Sequence, residues 1–183
     1  MFYYDNSSYP YTSITITVDK QITSVNRTFG NYKTGSYGLK SVTLNGDLSK
    51  VTTYTDYVKA QLDLEEIKGT PLDFTSVTTD SNSKWCGPNG DFTKLTYVRY
   101  KPNTLKVNHS IFNCPALSND SIVSIANGLQ VIAKTLTLHA TVSGKLSTIY
   151  GTVDNDGIFT ETNDSNDTTL LSFITTTKGW TVA

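Results

Sequence analysis

Apolar residues recur along this chain with a near-constant spacing. The central valines of four short segments are Val25, Val51, Val77 and Val107, and consecutive valines are 26, 26 and 30 residues apart. A second signature, Leu-x-x-Val/Ile-x followed by a leucine, a glycine or a tyrosine, occupies residues 39–44, 64–69 and 95–100. The offset from the second signature to the next central valine is nine or ten residues in all three rounds. Two signatures that keep one offset predict an internally repeated fold.

The repeats have the length and pattern of leucine-rich repeats, which span about 20–29 residues. A Leu-x-x-Leu-x-Leu segment forms a short strand with its leucines pointing inward, and stacked repeats cover one another's apolar faces. Gly69 and Tyr100 replace the last leucine, and an insertion near residues 85–90 lengthens one repeat. The predicted fold is therefore a β-rich α/β fold, a short and irregular leucine-rich-repeat-like solenoid with a parallel sheet and terminal caps.

The N-terminal end of this stack is predicted to be covered by a strand. Ile14, Ile16 and Val18 alternate with threonines, which is typical of a strand with one apolar face. We therefore divide the chain into residues 1–21, an N-terminal aromatic segment and capping strand, and residues 22–183, a leucine-rich-repeat-like domain with a C-terminal helix–strand cap.

The C-terminal cap is predicted to begin with a helix over residues 118–133. Apolar residues recur there at helical spacing, and Ser118 or Asn119 can cap its start. The elements predicted after it are a strand at 135–139, a hairpin at 153–159 with Asp156-Gly157 at its turn, a helix at 169–178 ended by Gly179, and a closing strand at 180–182.

Composition narrows the classes of function. Lys and Arg total 15 and Asp and Glu total 16, for a net charge of -1, and neither sign forms a long run. Nucleic-acid-binding proteins usually carry a basic stripe, so no nucleic-acid partner is expected. No apolar stretch approaches the roughly 20 residues that cross a bilayer, so no membrane insertion is expected. Cys86 and Cys114 are too few for a disulfide scaffold, and two buried free thiols are predicted rather than a bridge.

The N-terminus lacks the basic and apolar regions of a secretory signal. Either the chain is a mature fragment, or it is made in the host cytoplasm and leaves by another route, such as incorporation into a virus particle. The aromatic residues that crowd around Pro10 are Phe2, Tyr3, Tyr4, Tyr9 and Tyr11. This segment is predicted to dock, either onto the end of the chain's own solenoid or onto a partner.

No set of residues predicts catalysis. His109 and His139 both follow strand-like segments and are expected to be surface or turn residues rather than catalytic bases. Glu65 and Glu66 are adjacent on a predicted strand and would point to opposite faces, so they cannot easily flank one substrate bond. The sequence therefore predicts a protein that is not an enzyme.

No metal or cofactor is predicted either. Residues 154–157, Asp-Asn-Asp-Gly, together with Glu161 invite a calcium assignment. An EF-hand loop places its glycine at the sixth position, whereas here the glycine is the fourth residue. A hairpin turn is the preferred interpretation.

The predicted strands present rows of outward side chains on a concave face. The rows are Ser41, Glu66 and Tyr97; Thr43, Lys68 and Arg99; and Asn45, Thr70 and Lys101. Exposed aromatic and arginine residues are favoured at binding hot spots. The candidate contact residues are Tyr97, Arg99, Tyr100, Trp85, Glu66 and Lys68. The alternative is a merely solvated face, with Tyr100 or Trp85 buried in the core.

Residues 111–117, Ile-Phe-Asn-Cys-Pro-Ala-Leu, resemble the phenylalanine–cysteine–leucine step of BspA-like leucine-rich repeats. Residues 117–129, 135–138 and 178–183 are similar to the end of many such proteins, which occur on gut and oral bacteria and among phage tail and other virion proteins. The resemblance implies a solenoid used for adhesion or particle architecture, without catalytic residues. The central repeats lack the phenylalanine–cysteine step, and residues 151–166 look inserted, which departs from the pattern.

These features predict a non-catalytic phage virion protein, a fibre, tail or capsid-surface component that attaches to a host surface or to neighbouring subunits. Its expected partners are other virion proteins or further copies of itself, and a host-surface glycan or protein. The alternative is a module of an adhesin on a bacterial cell surface. A small carbohydrate-active enzyme is the least favoured class.

Overall fold

The computed structural model describes residues 12–25, 38–55, 57–58, 61–86 and 92–183. The predicted docking segment, Phe2, Tyr3, Tyr4, Tyr9 and Tyr11, lies outside these residues. The described strands are β1 Ser13–Val18, β2 Ser41–Gly46, β3 Glu66–Gly69, β4 His109–Ile111, β5 Thr135–Leu138, β6 Tyr150–Val153, β7 Phe159–Thr162, β8 Thr168–Thr169 and β9 Thr181–Val182. The helices are α1 Asp80–Ser83, α2 Asn119–Gly128, α3 Ala140–Ser143 and α4 Leu170–Ser172, followed by a π-helical turn, Phe173–Thr177. The fold is thus a mixed one of short helices with small parallel and antiparallel sheets.

The first sheet is parallel and has the order β1-β2-β3. Its register pairs Ser41 with Glu66 and Thr43 with Lys68, and an isolated bridge pairs Glu66 with Tyr97. These contacts confirm the first predicted row and the Thr43–Lys68 pair of the second. Leu72 bridges to Tyr100, however, so the register shifts after Tyr97 and the predicted neighbours Lys68–Arg99 and Thr70–Lys101 are out of register. β1 joins the sheet at its N-terminal edge, which confirms the strand predicted there.

The apolar residues of both signatures lie in the core. The described residues of the second signature that are at most 3% exposed are Leu39, Val42, Leu44, Leu64, Ile67, Leu95, Val98 and Tyr100. The four central valines are also buried. The segments that carry them contact one another through bonds such as Thr52 N to Thr23 O, at 2.8 Å. Both signatures therefore mark inward positions, as the spacing predicts.

Two glycines allow the ends of neighbouring strands to approach closely. Gly46 and Gly69 have φ of 113° and 85°, a region that favours glycine. A Cβ at Gly46 would lie 2.1 Å from Val18 O, and one at Gly69 would lie 2.0 Å from Leu44 O. The glycine that replaces the last leucine of its signature is therefore required by the contact with the preceding strand.

A second parallel sheet has the order β4-β5-β9. It pairs His109 with Leu136 and Leu136 with Val182. β5 and β9 confirm the strands predicted after the helix and at the C-terminus. Between the two parallel sheets, an isolated bridge joins Leu105 to Leu129.

The third sheet is antiparallel, with the order β7-β6-β8. β6 and β7 form the predicted hairpin, and Gly157 has a φ of 71° at its turn. One carboxylate oxygen of Asp154 accepts bonds from the backbone N–H groups of Asp156 and Ile158, at 3.0 and 2.9 Å. This is a local turn contact that stabilises the tight chain reversal.

The helix predicted over residues 118–133 is shorter than expected. Ser118, one of the two predicted caps, caps α2, but the helix ends at Gly128. A Cβ at Gly128 would lie 2.8 Å from the Cβ of Tyr100, and Leu129 turns away to pair with Leu105. Close packing on Tyr100 therefore fixes this end of α2, and the helical prediction for residues 129–133 is wrong.

The C-terminal helical segment runs through α4 and the π-helical turn, and Gly179 follows with a φ of 77°. Leu170, Phe173 and Ile174 are buried, as their predicted spacing requires. Among the described residues, no helix is long and apolar enough to cross a membrane.

Candidate functional site

The helix α2 covers the open edge of the strand-like segment 96–100. The backbone N–H of Val98 donates to Ser121 Oγ, and that of Tyr100 donates to Ser124 Oγ, each at 3.0 Å. Ser121 Oγ also donates to Thr96 O at 3.0 Å. Two serine hydroxyls thus take the place of a neighbouring strand. An uncovered edge invites pairing with other chains, and here the helix satisfies it.

The hairpin of β6 and β7 is fastened to the same helix. Asn127 donates through Nδ2 to Phe159 O at 2.9 Å and accepts from Phe159 N at 2.7 Å. Asn119 Nδ2 donates to Glu161 Oε1 at 2.9 Å. These contacts hold three elements, the 97–102 segment, α2 and β7, in one arrangement.

A groove of about 600 Å³ lies between these three elements. The residues that line it are Pro71, Tyr97, Arg99, Tyr100, Pro102, Asp120, Val123, Ser124, Asn127, Ile158, Phe159, Thr160 and Glu161. Its volume is in the range of small-molecule sites, which are typically about 300–1,000 Å³. It therefore offers space for a ligand of a few rings.

Tyr97 and Arg99 bring two polar side chains of the predicted contact face into the groove. Tyr97 is half-buried and Arg99 is exposed. Arg99 forms no ion pair with any residue that the structure describes. Asp120 and Glu161, both exposed, lie in the same groove. The groove thus combines a guanidinium, a phenol and two carboxylates.

Sequence reasoning missed the grouping of Asp120 and Glu161 with Arg99. In the sequence, Glu161 suggests only a calcium ligand, and nothing marks Asp120. The two residues are 41 positions apart, and only the bonds between α2 and the hairpin bring them together. The polar face of the predicted helix was the signal that could have pointed to Asp120.

Glu66 and Lys68 lie outside this groove and pair with each other. They are two positions apart on β3, so both project from the same face, and they form an ion pair. The bond from the Lys68 ammonium, followed by one from Ser41, lowers the pKa of Glu66. Glu65 pairs instead with Lys40, at 3.2 Å.

Trp85 and Tyr100 do not lie on the exposed face. Trp85 is 0% exposed and Tyr100 is 2% exposed, so their prediction as surface contacts is wrong and the alternative, burial in the core, is the observed one. Tyr100 borders the groove, but its ring packs on Phe74, with ring centroids 4.9 Å apart. The alternation of strand positions explains this, because Val98 and Tyr100 face the core while Tyr97 and Arg99 face outward.

His109 is also buried, at 2% exposed, and its expected surface position is wrong. Trp85 Nε1–H donates to the Tyr100 hydroxyl, which lies 2.6 Å from His109 Nε2. Ser83 Oγ–H donates to Asp80 O at 2.9 Å, so its oxygen accepts from His109 Nδ1–H at 3.1 Å. Nε2 of the neutral imidazole then accepts from the Tyr100 hydroxyl. Burial lowers the pKa of His109 to about 3, so this histidine is a neutral structural group.

The remaining chemically reactive side chains lie apart from the groove. His139 caps α3, accepting from Thr141 N at 3.1 Å, which confirms a turn role. Cys86 and Cys114 are free and buried, as predicted. The thiol of Cys86 donates to Asn113 Oδ1 at 3.1 Å.

No cluster of three or more metal-binding side chains occurs within the part of the chain that the structure describes. Comparison with protein families, with curated proteins and with solved structures gives no match for this chain.

Proposed function

We propose that the chain is a non-catalytic attachment module of a phage virion, and that its groove binds a glycan of the host surface. The groove that joins Tyr97 and Arg99 to Asp120 and Glu161 is the observation that supports this proposal. A glycan presents hydroxyl groups and apolar ring faces. Carboxylates accept bonds from hydroxyls, a guanidinium donates several bonds in one plane, and an aromatic ring covers an apolar sugar face.

The rigidity of the groove supports binding. Asn119 and Asn127 of α2 bond to β7, and Ser121 and Ser124 bond the same helix to Val98 and Tyr100, so all three walls are joined. A preformed site loses less conformational entropy when a ligand binds, which favours affinity. Attachment proteins that act at a particle surface benefit from such a site, because each weak contact is multiplied across many copies.

Binding is favoured over hydrolysis of the glycan. A glycosidase uses one carboxyl group as an acid, usually with its pKa raised in apolar surroundings. Asp120 and Glu161 are both exposed, and Glu161 accepts a bond from Asn119. The proposal therefore assigns them to hydroxyl recognition, and it expects no new reducing ends when glycans are incubated with the protein.

The proposal includes a finer description of the fold, a short and irregular leucine-rich-repeat-like solenoid related to BspA-like repeats. The constant parallel register from β1 to Tyr97 and the burial of both signatures support it. Its partners would be other virion proteins or further copies of itself, besides the host surface. Detection of the protein in purified particles would support the virion assignment, and an export signal and wall anchor in its parent gene would favour a bacterial adhesin instead.

The binding proposal can be tested on an array of bacterial surface polysaccharides and oligosaccharides. The native protein is expected to bind a subset of them, and Arg99→Ala and Tyr97→Ala are expected to weaken that binding at least tenfold. Lys50→Ala is the matched control, because Lys50 is an exposed cation that does not line the groove. Unchanged binding in Arg99→Ala and Tyr97→Ala, or no binding by the native protein, would contradict the proposal.

A further inference from the structure

A second pocket, of about 330 Å³, lies beside the turn of the β6–β7 hairpin. Its lining residues are Asn103, Gln130, Val131, Asp156, Gly157, Thr177 and Lys178. They come from the loop after Tyr100, the segment after α2, the hairpin turn and the end of the π-helical turn. The pocket therefore shares no lining residue with the groove, although three of its four segments adjoin the 97–102 segment, α2 and β7.

Lys178 is a buried cation without a carboxylate partner. It is 1% exposed, and its ammonium donates to Asn103 Oδ1 at 2.6 Å and lies 5.2 Å from the centre of the Phe173 ring. Within the described residues it forms no ion pair. Burial lowers its pKa, an effect that the more distant Asp154 partly opposes. A buried charge is costly unless an opposite charge or several hydrogen bonds compensate it.

Lys178 lines the pocket beside Gly157. A Cβ placed on Gly157 would lie 3.9 Å from Lys178 Nζ, with no other atom within 4 Å apart from its own neighbours along the chain. Because glycine has no side chain, the space beside the ammonium at position 157 is left open. A side chain at position 157 would fill this space.

The other lining residues suit a sugar more than a simple anion. Asp156 is exposed and can accept bonds from hydroxyl groups, while Gln130 and Thr177 offer further polar groups. Val131 is 75% exposed and presents an apolar surface at the rim. An inorganic anion would be repelled by the Asp156 carboxylate and would have no apolar surface to pack on Val131.

We propose that this pocket binds an acidic sugar residue, such as a uronic acid, with the sugar carboxylate paired to Lys178 and its hydroxyls bonded to Asp156 and Gln130. This inference rests on the proposed function in one respect, that the ligand is a surface glycan. It adds that the glycan is anionic and that its charge is recognised at Lys178 rather than at Arg99.

The test is calorimetric titration of the full chain with trigalacturonic acid and, separately, with its fully methyl-esterified form. The acid is expected to bind at least tenfold more tightly than the ester. Gly157→Asn places a side chain in the open space while keeping a residue that tolerates positive φ, and it is expected to abolish this preference. Equal binding of the acid and the ester by the native protein would overturn the inference.

Substitutions of Val131 test the inference without disturbing the core, because this residue lies at the exposed rim of the pocket. Val131→Lys is expected to strengthen binding of the acid about threefold, and Val131→Glu is expected to weaken it about threefold. The effects are small because exposed charge pairs contribute little. Val131→Gln is the neutral control. Competition experiments with acetate and inorganic phosphate distinguish an acidic sugar from a simple anion as the ligand. Competition by either at the same concentration as the acid would overturn the assignment to a sugar, whereas weaker competition by both supports it.

The two proposals fail in different ways. If Arg99→Ala leaves all glycan binding intact but Gly157→Asn removes the preference for the acid, only the groove proposal is wrong. If Arg99→Ala weakens glycan binding and the native protein does not distinguish acid from ester, only the pocket inference is wrong.

Discussion

Replacing Tyr100 by phenylalanine removes one oxygen from the centre of the core and leaves the ring in place. The hydroxyl accepts from Trp85 Nε1–H and donates to His109 Nε2. Both partners are at most 2% exposed, so water cannot readily replace the lost bonds. The ring contacts with Phe74 and His109, at 4.9 and 5.5 Å between centroids, remain available to phenylalanine. Tyr100→Phe is therefore a nearly pure deletion of two buried hydrogen bonds.

The expected cost follows from the two groups left without a partner. A buried unsatisfied donor or acceptor costs about 1–3 kcal/mol, so Tyr100→Phe is expected to lower the free energy of unfolding by about 2–6 kcal/mol. With a urea dependence of about 2 kcal/mol per molar for a chain of this size, the unfolding midpoint would fall by about 1–3 M. Tryptophan fluorescence during urea titration measures it, since Trp85 reports directly on this part of the core.

Tyr97→Phe is the matched control for this measurement. Tyr97 lies on the outward side of the same strand-like segment and is half-buried, so its loss of one hydroxyl should change the free energy of unfolding by less than about 0.5 kcal/mol. If Tyr100→Phe is no more destabilising than Tyr97→Phe, the chain of bonds from Trp85 to Ser83 does not contribute to stability, and the reasoning is refuted.

The pH dependence of stability should report His109, because its pKa is about 3 in the folded chain and near its ordinary value of 6.5 when unfolded. Between these values the unfolded chain binds a proton that the folded chain does not. The free energy of unfolding is therefore expected to fall from pH 6.5 towards pH 3, by up to about 1.4 kcal/mol per pH unit. Urea titrations across this range measure the slope, and an equal slope in His109→Gln would contradict its assignment to His109. Gly69→Ala should lower the free energy of unfolding by about 2 kcal/mol or more, because its Cβ would overlap Leu44 O. Gly144→Ala, with no contact closer than 3.4 Å, should change it by less than about 0.5 kcal/mol, and urea titration of both variants measures the difference. Ser124→Ala leaves the Tyr100 N–H without its partner and should cost about 1–3 kcal/mol; a loss no greater than that of an exposed serine would show that α2 does not replace a strand at this edge.

The repeat spacing predicted the part of the fold that depends on periodicity. Because the offset between the two signatures is constant, residues at equal positions must lie side by side, and the pairs Ser41–Glu66 and Thr43–Lys68 follow. The spacing could not show that Ser121 and Ser124 would close the sheet edge, since those bonds join residues 23 and 24 positions apart through side chains.

Only one wall of the groove could be predicted from the sequence. Outward alternation placed Tyr97 and Arg99 on one face, but the same alternation, applied one residue further, would have placed Tyr100 inside. Val107, His109 and Ile111 alternate in the same way, and all three are buried. The polarity of His109 predicts a surface position, whereas its place in this alternation predicts burial, and burial is observed. The opposite wall of the groove depends on the docking of the β6–β7 hairpin onto α2, which no local pattern encodes.

The most direct test of the proposed binding groove is an NMR titration of the ¹⁵N-labelled chain with the glycan that binds most tightly on the array. The account predicts that the amide signals that shift cluster at Tyr97, Arg99, Asp120 and Glu161, and that the same titration of Arg99→Ala gives much smaller shifts. Shifts confined to the outer edge of β1, or an unchanged response in Arg99→Ala, would contradict it.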